Sequence, residues 1–386
     1  MQYRTFGSKG WKVSALGFGC MRLPHLEGEG QKLDEPQALE MVRWAIDHGV
    51  NYIDTAYVYN DGGCERFLGR ALQDGYREKV ILSTKLPPWP IQATDDFDVY
   101  LNEELDRLQT DHVDVYIMHS LQQSTWHKLR DLNLLGWAEG ALQDGRIRGL
   151  GFSFHDSYEV FQEIVDAYDR WTVAMFQYNY MRIHDEAGER GLKYAASKGL
   201  APVVLGPVMG GRLVSAPEEV QRVWDSSQRK RTPVDWALQW LWNQPEVSVV
   251  LSGMSTMEQV VQNVRSADRS GVNTLTGEEL EIVARVRELY LARRPIPCTM
   301  CKKCMPCPEG VNIPLNLQMY NEGLMYSTLR FPMWGYDLLG ANQRAGVCNQ
   351  CGKCEALCPE GIPIGRWMIE IDNVFGRGLP SAGIGD

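Results

Sequence analysis

Over the first 290 residues, short apolar runs rich in β-formers alternate with longer amphipathic stretches. The runs fall at 13–18, 51–55, 80–85, 113–118, 148–153, 174–178, 202–206 and 247–251. Most are short, largely apolar runs such as VDVYIM, the pattern of parallel strands buried on both faces. Between them the spacing is helical. In EPQALEMVRWAIDHG at 35–49, Ala38, Met41, Val42, Ala45 and Ile46 fall on one stripe. Eight such strands with intervening helices in about 250 residues predict an α/β fold, a closed (β/α)8 TIM barrel, over an open doubly wound sheet. The glycine fingerprint of the open sheet is incomplete: Gly17 and Gly19 begin it, but Arg22 stands where the third glycine belongs. YRTF and WKVS flank GSKG, which predicts a short hairpin able to plug the barrel floor.

The pattern changes near residue 292, where LARRP ends a helical stretch. Ten cysteines are present; Cys20 and Cys64 lie apart, and the other eight crowd into the last 89 residues. Two domains are therefore expected, a barrel over 1–291 and a mainly helical cysteine-rich domain over 292–386. The formal net charge of −10 argues against a nucleic-acid or anionic-membrane partner. No apolar run approaches the ~20 residues of a membrane span. The start, MQYRTFGSKGWKVS, lacks the apolar core of a secretory signal, so a cytoplasmic location is expected. In that reducing setting, cysteines three apart suit metal thiolates better than disulfides.

Barrel chemistry sits at the C-terminal strand ends. Those ends carry Asp54, Lys85 and His119, with Tyr59 on the loop five residues beyond Asp54. Singly, each has a bland reading: the Asp caps a helix, the Tyr packs, the Lys extends to solvent. Together, at the ends of neighbouring strands 2, 3 and 4, they would converge on one spot. The stretches LGFGCMRLP, NYIDTAYVYNDGGCERFLGRAL, ILSTKL, VDVYIMHS, GLGFSFHD, FQYNY and VVLSGMSTMEQVVQNV resemble the aldo-keto reductase superfamily over roughly residues 1–290. The spacing of Asp54, Tyr59, Lys85 and His119 is similar to that family's catalytic tetrad. The resemblance implies that Tyr59 is the general acid that protonates a carbonyl oxygen while a nicotinamide delivers hydride. The chemistry is consistent: a phenol with a pKa of about 10 needs help as an acid at neutral pH, and an adjacent lysine cation lowers that value. Asp54 would keep Lys85 charged, and His119 would hydrogen-bond the carbonyl oxygen.

The same resemblance implies NADP(H) or NAD(H) as cofactor. Ser153 and Gln177 match two family residues that hold the nicotinamide carboxamide, but Phe154 replaces the family's Asn, with His155 beside it. Leu205 stands where the family places a stacking aromatic. Gly253, Ser255, Gln259 and Asn263 match the pyrophosphate and adenosine end, where a helix N-terminus suits phosphate. At Gln259 the family's arginine for a 2′-phosphate is missing, which weakens a preference for NADPH over NADH.

The tail carries CTMCKKCMPCP at 298–308 and CNQCGKCEALCP at 348–359. The second is the C-x2-C-x2-C-x3-C-P run of bacterial ferredoxins; the first is one residue shorter before its last cysteine. Zinc is the competing ligand, but two triplets each followed by Cys-Pro favour two 4Fe-4S clusters. By resemblance to two-cluster ferredoxins the fourth cysteine crosses over. One cluster would take Cys298, Cys301, Cys304 and Cys358, the other Cys348, Cys351, Cys354 and Cys307. IPLNLQMYNEGLMYST and PIGRWMIEIDNVF predict helices around them.

The expected function is a nicotinamide-dependent oxidoreductase acting on a small-molecule carbonyl or alcohol. The rival is an electron-transfer protein that exchanges single electrons with a ferredoxin or flavoprotein partner, with the barrel binding a flavin or serving as a docking body. Trp89 and Trp126 are equally suited to a substrate wall or to covering the rim. Trp334 or Tyr336 of the tail are further candidates at the mouth. Oligomeric state is left open.

Overall fold

The computed structural model describes residues 1–28, 30 and 32–378; residues 379–386, the end of the expected second domain, lie outside them. The strands are β1 (Tyr3–Phe6), β2 (Trp11–Ser14), β3 (Leu16–Gly19), β4 (Tyr52–Asp54), β5 (Ile81–Leu86), β6 (Val115–Leu121), β7 (Leu150–Phe154), β8 (Trp171–Gln177), β9 (Ala201–Leu205) and β10 (Val249–Gly253). From β3 to β10 they close in sequence order into a parallel eight-stranded barrel, β10 pairing with both β9 and β3.

β1 and β2 form an antiparallel hairpin, Tyr3 opposite Ser14. The apolar run at 13–18 is thus two strands. The break falls at Ala15, after Ser14, whose Oγ donates to the Leu16 carbonyl (2.7 Å) and accepts from the Asn51 N–H (3.0 Å), turning the chain from hairpin into barrel. Phe6 of the hairpin is fully buried among Val13, Tyr52, Val115, Ile117 and Val173, so it closes the bottom of the barrel. Gly7 is required there: its φ is +50°, and a Cβ would lie 2.6 Å from the Gly199 carbonyl oxygen.

The helices up to residue 292 are α1 (Glu35–Asp47), α2 (Gly63–Ala71), α3 (Asp96–Leu108), α4 (Gln123–Asp131), α5 (Leu134–Gln143), α6 (Tyr158–Asp166), α7 (Gly188–Ser197), α8 (Glu218–Asp225), α9 (Pro233–Trp242), α10 (Met257–Asp268) and α11 (Gly277–Ala292). α1 begins where Asp34 accepts from the Gln37 N–H. Its predicted stripe, Ala38, Met41, Val42, Ala45 and Ile46, is buried against the barrel core.

By contacts the chain forms two compact units, residues 1–210 with 234–276, and residues 211–233 with 277 onward. The second unit adds α12 (Ile313–Tyr326), α13 (Arg330–Leu338), α14 (Lys353–Ala356) and α15 (Ile364–Ile371). α12 and α15 fall where the two tail segments predict helices. One apolar cluster of this unit is built on residues such as Leu317, Tyr320, Tyr336, Ile364, Met368 and Phe375, with Cys298, Cys304, Cys307, Cys348, Cys354 and Cys358 packed against it. α8 and α11 belong to this unit. Arg293, just after α11, bonds Glu219 of α8 (2.6 Å) and the Leu324 and Met325 carbonyls of α12 (3.2 Å each). Among the described residues no helix is long and apolar enough to cross a membrane.

Candidate active site and cysteine cavities

Neighbouring barrel strands bring the four predicted side chains together. Lys85 Nζ, from β5, donates to Asp54 Oδ2 at the end of β4 (2.6 Å), to the Thr55 carbonyl (2.6 Å) and to Tyr59 Oη (3.1 Å). Asp54 and Lys85 are each 1% exposed. The Tyr59 ring stands edge-on to the His119 ring of β6, with centroids 5.9 Å apart.

The electrostatics follow from burial. Burial works against the Lys85 charge, but Asp54 and Tyr59 outweigh it and carry the ammonium above the usual lysine range. Burial pushes Asp54 up, and Lys85 and the Ser83 hydroxyl oppose that. Tyr59 ends above the ordinary phenol value because its burial outweighs the lowering by Lys85. The expected lowering by Lys85 is therefore present as a contribution but does not decide the net direction. His119 is pushed down to about 3, by burial first, then by Lys85 and His155. It is neutral at pH 7, and its Nδ1 is buried without a partner among the described residues.

The loop that carries Tyr59 is unusual in its backbone. Asn60, Asp61 and Gly62 have φ of 52°, 53° and 80° in succession. Asn and Asp tolerate this left-handed region better than other side-chain-bearing residues, yet each still costs about 1–2 kcal/mol. The YNDGG sequence thus encodes a tight exit from β4 into α2.

The cofactor candidates are spread along the C-terminal strand ends. Ser153 is buried, and its Oγ accepts from the Ser120 N–H (2.7 Å). Gln177 ends β8, its Oε1 accepting from Arg182 (3.0 Å). Phe154 is fully buried in an aromatic ladder with Phe152 and Phe161; the carboxamide contact the family's Asn would make has no counterpart in that side chain. Leu205 is half-buried at the end of β9. Gly253, Ser255 and Gln259 lie at the N-terminal end of α10, and Asn263 is buried halfway along it. The Ser255 N–H donates to Gln259 Oε1 (2.8 Å), its Oγ donates to the Arg22 carbonyl (2.8 Å), and Asn263 donates to Ser252 (3.1 Å). A Cβ on Gly253 would press on the Arg22 side chain at 3.3 Å, so the exposed glycine keeps that helix end open. The helix N-terminus here is of the kind that suits phosphate, and Ser153 and Gln177 lie at the C-terminal ends of β7 and β8.

The two loop tryptophans separate. Trp126 is fully buried and its Nε1 donates to Glu163 (3.2 Å), so it is core. Trp89 is 52% exposed and leans over His119 at 5.7 Å. Tyr336 is 2% exposed against Phe375 in the core of the second unit, while Trp334 is 65% exposed.

In the second unit the cysteines line two cavities. One, of about 170 Å³, is lined by Cys304, Cys307, Cys348, Cys351 and Cys354. The other, of about 20 Å³, is lined by Cys298, Cys301, Cys304 and Cys358. Burial pushes Cys354 up to about 11, with Cys348 and Cys307 adding to it; Cys298 is raised by burial and by Cys358 and Cys301. Cys307 thus keeps company with the second run and Cys358 with the first. Among the described residues no three of His, Cys, Asp and Glu converge as for a single ion. Cys20 and Cys64 are buried in the barrel and line neither cavity.

Several partners of the four side chains were not singled out from sequence. Ser83 donates to Asp54 Oδ1 (2.9 Å); it lies two residues before Lys85, on the same strand face, so strand alternation could have found it. Thr55 acts through its backbone, which no side-chain pattern reveals.

The aldo/keto reductase family model matches residues 15–286, and a 4Fe-4S dicluster domain model matches residues 297–362. The L-galactose dehydrogenase of Arabidopsis thaliana is 26% identical over 309 residues, covering 73% of this chain and 94% of that protein. An aldo-keto reductase of Bacillus halodurans in its holo form superposes with a TM-score of 0.62 at 28% identity, covering 74% of this chain and 96% of that one. An aldo-keto reductase of Klebsiella pneumoniae, solved in complex with NADPH, shares the fold with a TM-score of 0.60 at 24% identity, covering 74% of this chain and 96% of that one.

Proposed function

The chain belongs to the aldo/keto reductase family, and from that premise we propose that it reduces a small-molecule carbonyl with NADPH or NADH, or oxidises the corresponding alcohol, with Tyr59 as general acid and base. The observation that carries this is the buried chain Asp54–Lys85–Tyr59, with hydrogen bonds of 2.6 and 3.1 Å. A bound nicotinamide supplies or accepts the hydride. Ser153 and Gln177 would hold its carboxamide end, and Gly253, Ser255 and the start of α10 its phosphates. Tyr59 gives its proton to the carbonyl oxygen as that oxygen gains charge. Lys85 stabilises the phenolate left behind, and Asp54 keeps Lys85 charged in a site where burial alone would discharge it. Neutral His119 donates a hydrogen bond to the same oxygen and orients it. Trp89 forms one apolar wall for the substrate.

We further propose that the tail holds two 4Fe-4S clusters, one on Cys298, Cys301, Cys304 and Cys358 and the other on Cys348, Cys351, Cys354 and Cys307, within a domain beginning near residue 292. The company of cysteines in each cavity supports the crossed assignment. Such clusters supply single-electron transfer. Cys301 and Cys351 are exposed, which favours a second reading in which the clusters exchange electrons with a redox partner protein. The deciding experiment uses anaerobically purified protein, with NADPH and NADH titrated by fluorescence and a panel of aldehydes and ketones followed at 340 nm. Carbonyl-dependent oxidation of the nicotinamide supports the first reading. Binding without turnover, with bleaching of the cluster absorption by a reduced carrier protein, would favour the second.

A further inference from the structure

Behind the Tyr59 loop lies a buried polar cluster that the proposed reaction does not use. Arg107, from α3, is 9% exposed and stands at its centre. Its Nη1 donates to the Tyr57 carbonyl (3.3 Å) and to Glu65 Oε2 of α2 (3.2 Å), and its Nη2 to Glu103 Oε1 (2.5 Å). The guanidinium also lies over the Tyr57 ring at 4.1 Å, and the Tyr57 hydroxyl donates to Glu103 (3.0 Å). Gly62, third of the left-handed residues, packs so closely that a Cβ would sit 2.9 Å from Arg107 Nη1. Both ends of the Tyr57–Gly62 segment therefore rest on one guanidinium. The cluster also reaches the lysine strand. Glu65 accepts from Thr84, the residue before Lys85 (2.6 Å), and Glu104 accepts from Tyr116 of β6 (2.6 Å). Glu65 and Glu104 are fully buried and meet at the Thr84 hydroxyl, which lies 2.6 Å from Glu65 Oε1 and 3.4 Å from Glu104 Oε1.

We propose that Arg107 is a positioning residue for the reaction assigned above: it holds the strained loop of Tyr59 against the strand of Lys85 and so sets the phenol–ammonium contact. A left-handed run persists only where its surroundings over-determine it, and the planar fork of arginine satisfies several acceptors at once in a way lysine cannot. The inference rests on Tyr59 being the acid. The charged and titratable groups facing Tyr59 are Lys85, Asp54, Cys20 and His119; those facing Arg107 are Glu65, Glu103, Glu104, Tyr57 and Tyr100.

The test compares Arg107→Met, Arg107→Lys and Tyr59→Phe in the full-length protein. Arg107→Met should lower kcat by about 10²-fold, the loss expected of a misplaced catalytic group, with nicotinamide affinity within threefold of wild type. Its alkaline limb for reduction should move to higher pH, because a phenol drawn away from Lys85 is a weaker acid. Arg107→Lys should recover less than a tenth of the lost activity. A folded Arg107→Met with kcat within threefold of wild type, or a loss with an unmoved pH profile, would overturn the proposal. If Arg107→Met does not fold, Gly62→Ala, which pushes on the same guanidinium, and Glu103→Gln, at the half-exposed edge, carry the same readouts and decide it. Activity in Tyr59→Phe would remove the underlying reading; an inactive Tyr59→Phe beside a normal Arg107→Met would remove only this inference.

Discussion

The barrel and the cysteine-rich unit solve opposite problems with polar side chains. In the barrel, Lys85 is buried among three acceptors within 3.1 Å, and that constellation stands on the packing of dozens of apolar residues. Its chemistry is assembled by the fold. In the second unit one cluster of thirteen buried apolar residues, among the described ones, packs against the cysteines, and eight thiols free of disulfides surround two cavities. The cluster beside the thiols is small, and structural metal sites elsewhere contribute folding energy outright. There the fold is expected to depend on what the thiols bind. Polar residues that satisfy one another are finished as the chain folds; polar residues that face a cavity are finished by a ligand.

The sharpest test of the barrel side is Tyr59→Phe. Removing the proton donor should lower kcat for carbonyl reduction by about 10³–10⁴-fold and leave fluorescence titration with NADPH nearly unchanged. More than a tenth of wild-type turnover would detach the chemistry from this constellation. Lys85→Met should follow, with a loss of about 10²-fold and a shifted pH profile. Lys85 lowers the Tyr59 value in the native site, so without it the alkaline limb of reduction moves to higher pH; a stationary limb would make Lys85 structural.

On the other side, stripping the metal with a chelator should melt the tail while the barrel keeps its own cooperative transition in calorimetry. Loss of both transitions together would erase the contrast between the regions. Cys354→Ala should remove about half of the iron and sulfide in anaerobic protein, as should Cys304→Ala, whereas Cys20→Ala and Cys64→Ala should leave both counts intact. Zinc in protein never exposed to oxygen would replace the cluster assignment altogether. The smallest effect concerns His119. Its native value near 3 lies below the unfolded value of about 6.5, so the unfolded chain binds the extra proton. Its contribution to stability is present above pH 6.5 and is lost as pH falls toward 3. His119→Gln should flatten that acid slope in pH-dependent denaturant melts.

The barrel was legible because its signals are local. Short, largely apolar runs mark parallel strands, and a catalytic group at a strand end lies where that fold concentrates chemistry. The same locality explains the misses. Ser14 splits one apolar run into hairpin and barrel strands by bonding across to Asn51, a partner 37 positions away. Trp89 and Trp126 are alike in sequence, and only packing makes one a rim residue and the other core. Glu65, Glu104 and Arg107 sit on helices, where charges read as solvent-facing; here they turn inward and neutralise one another. In the tail, cysteine spacing was informative because ligand chemistry fixes it, whereas nothing in the spacing announced α13.

The membership of α8 and α11 in the cysteine-rich unit bears on how such a protein can be inherited and rearranged. Arg293 joins α8, the end of α11 and α12 through one side chain. The metal-binding unit is therefore not a cassette that a single crossover could lift out: a break at residue 291 would leave two helices of the barrel-like segment without their companions. A lineage that lost α12 would have to rebuild the surfaces of α8 and α11 that meet it at Arg293 at the same time, and a lineage acquiring it would need complementary surface already in place. Selection on the two halves of the chain is coupled through these helices, independently of any electron that passes between them.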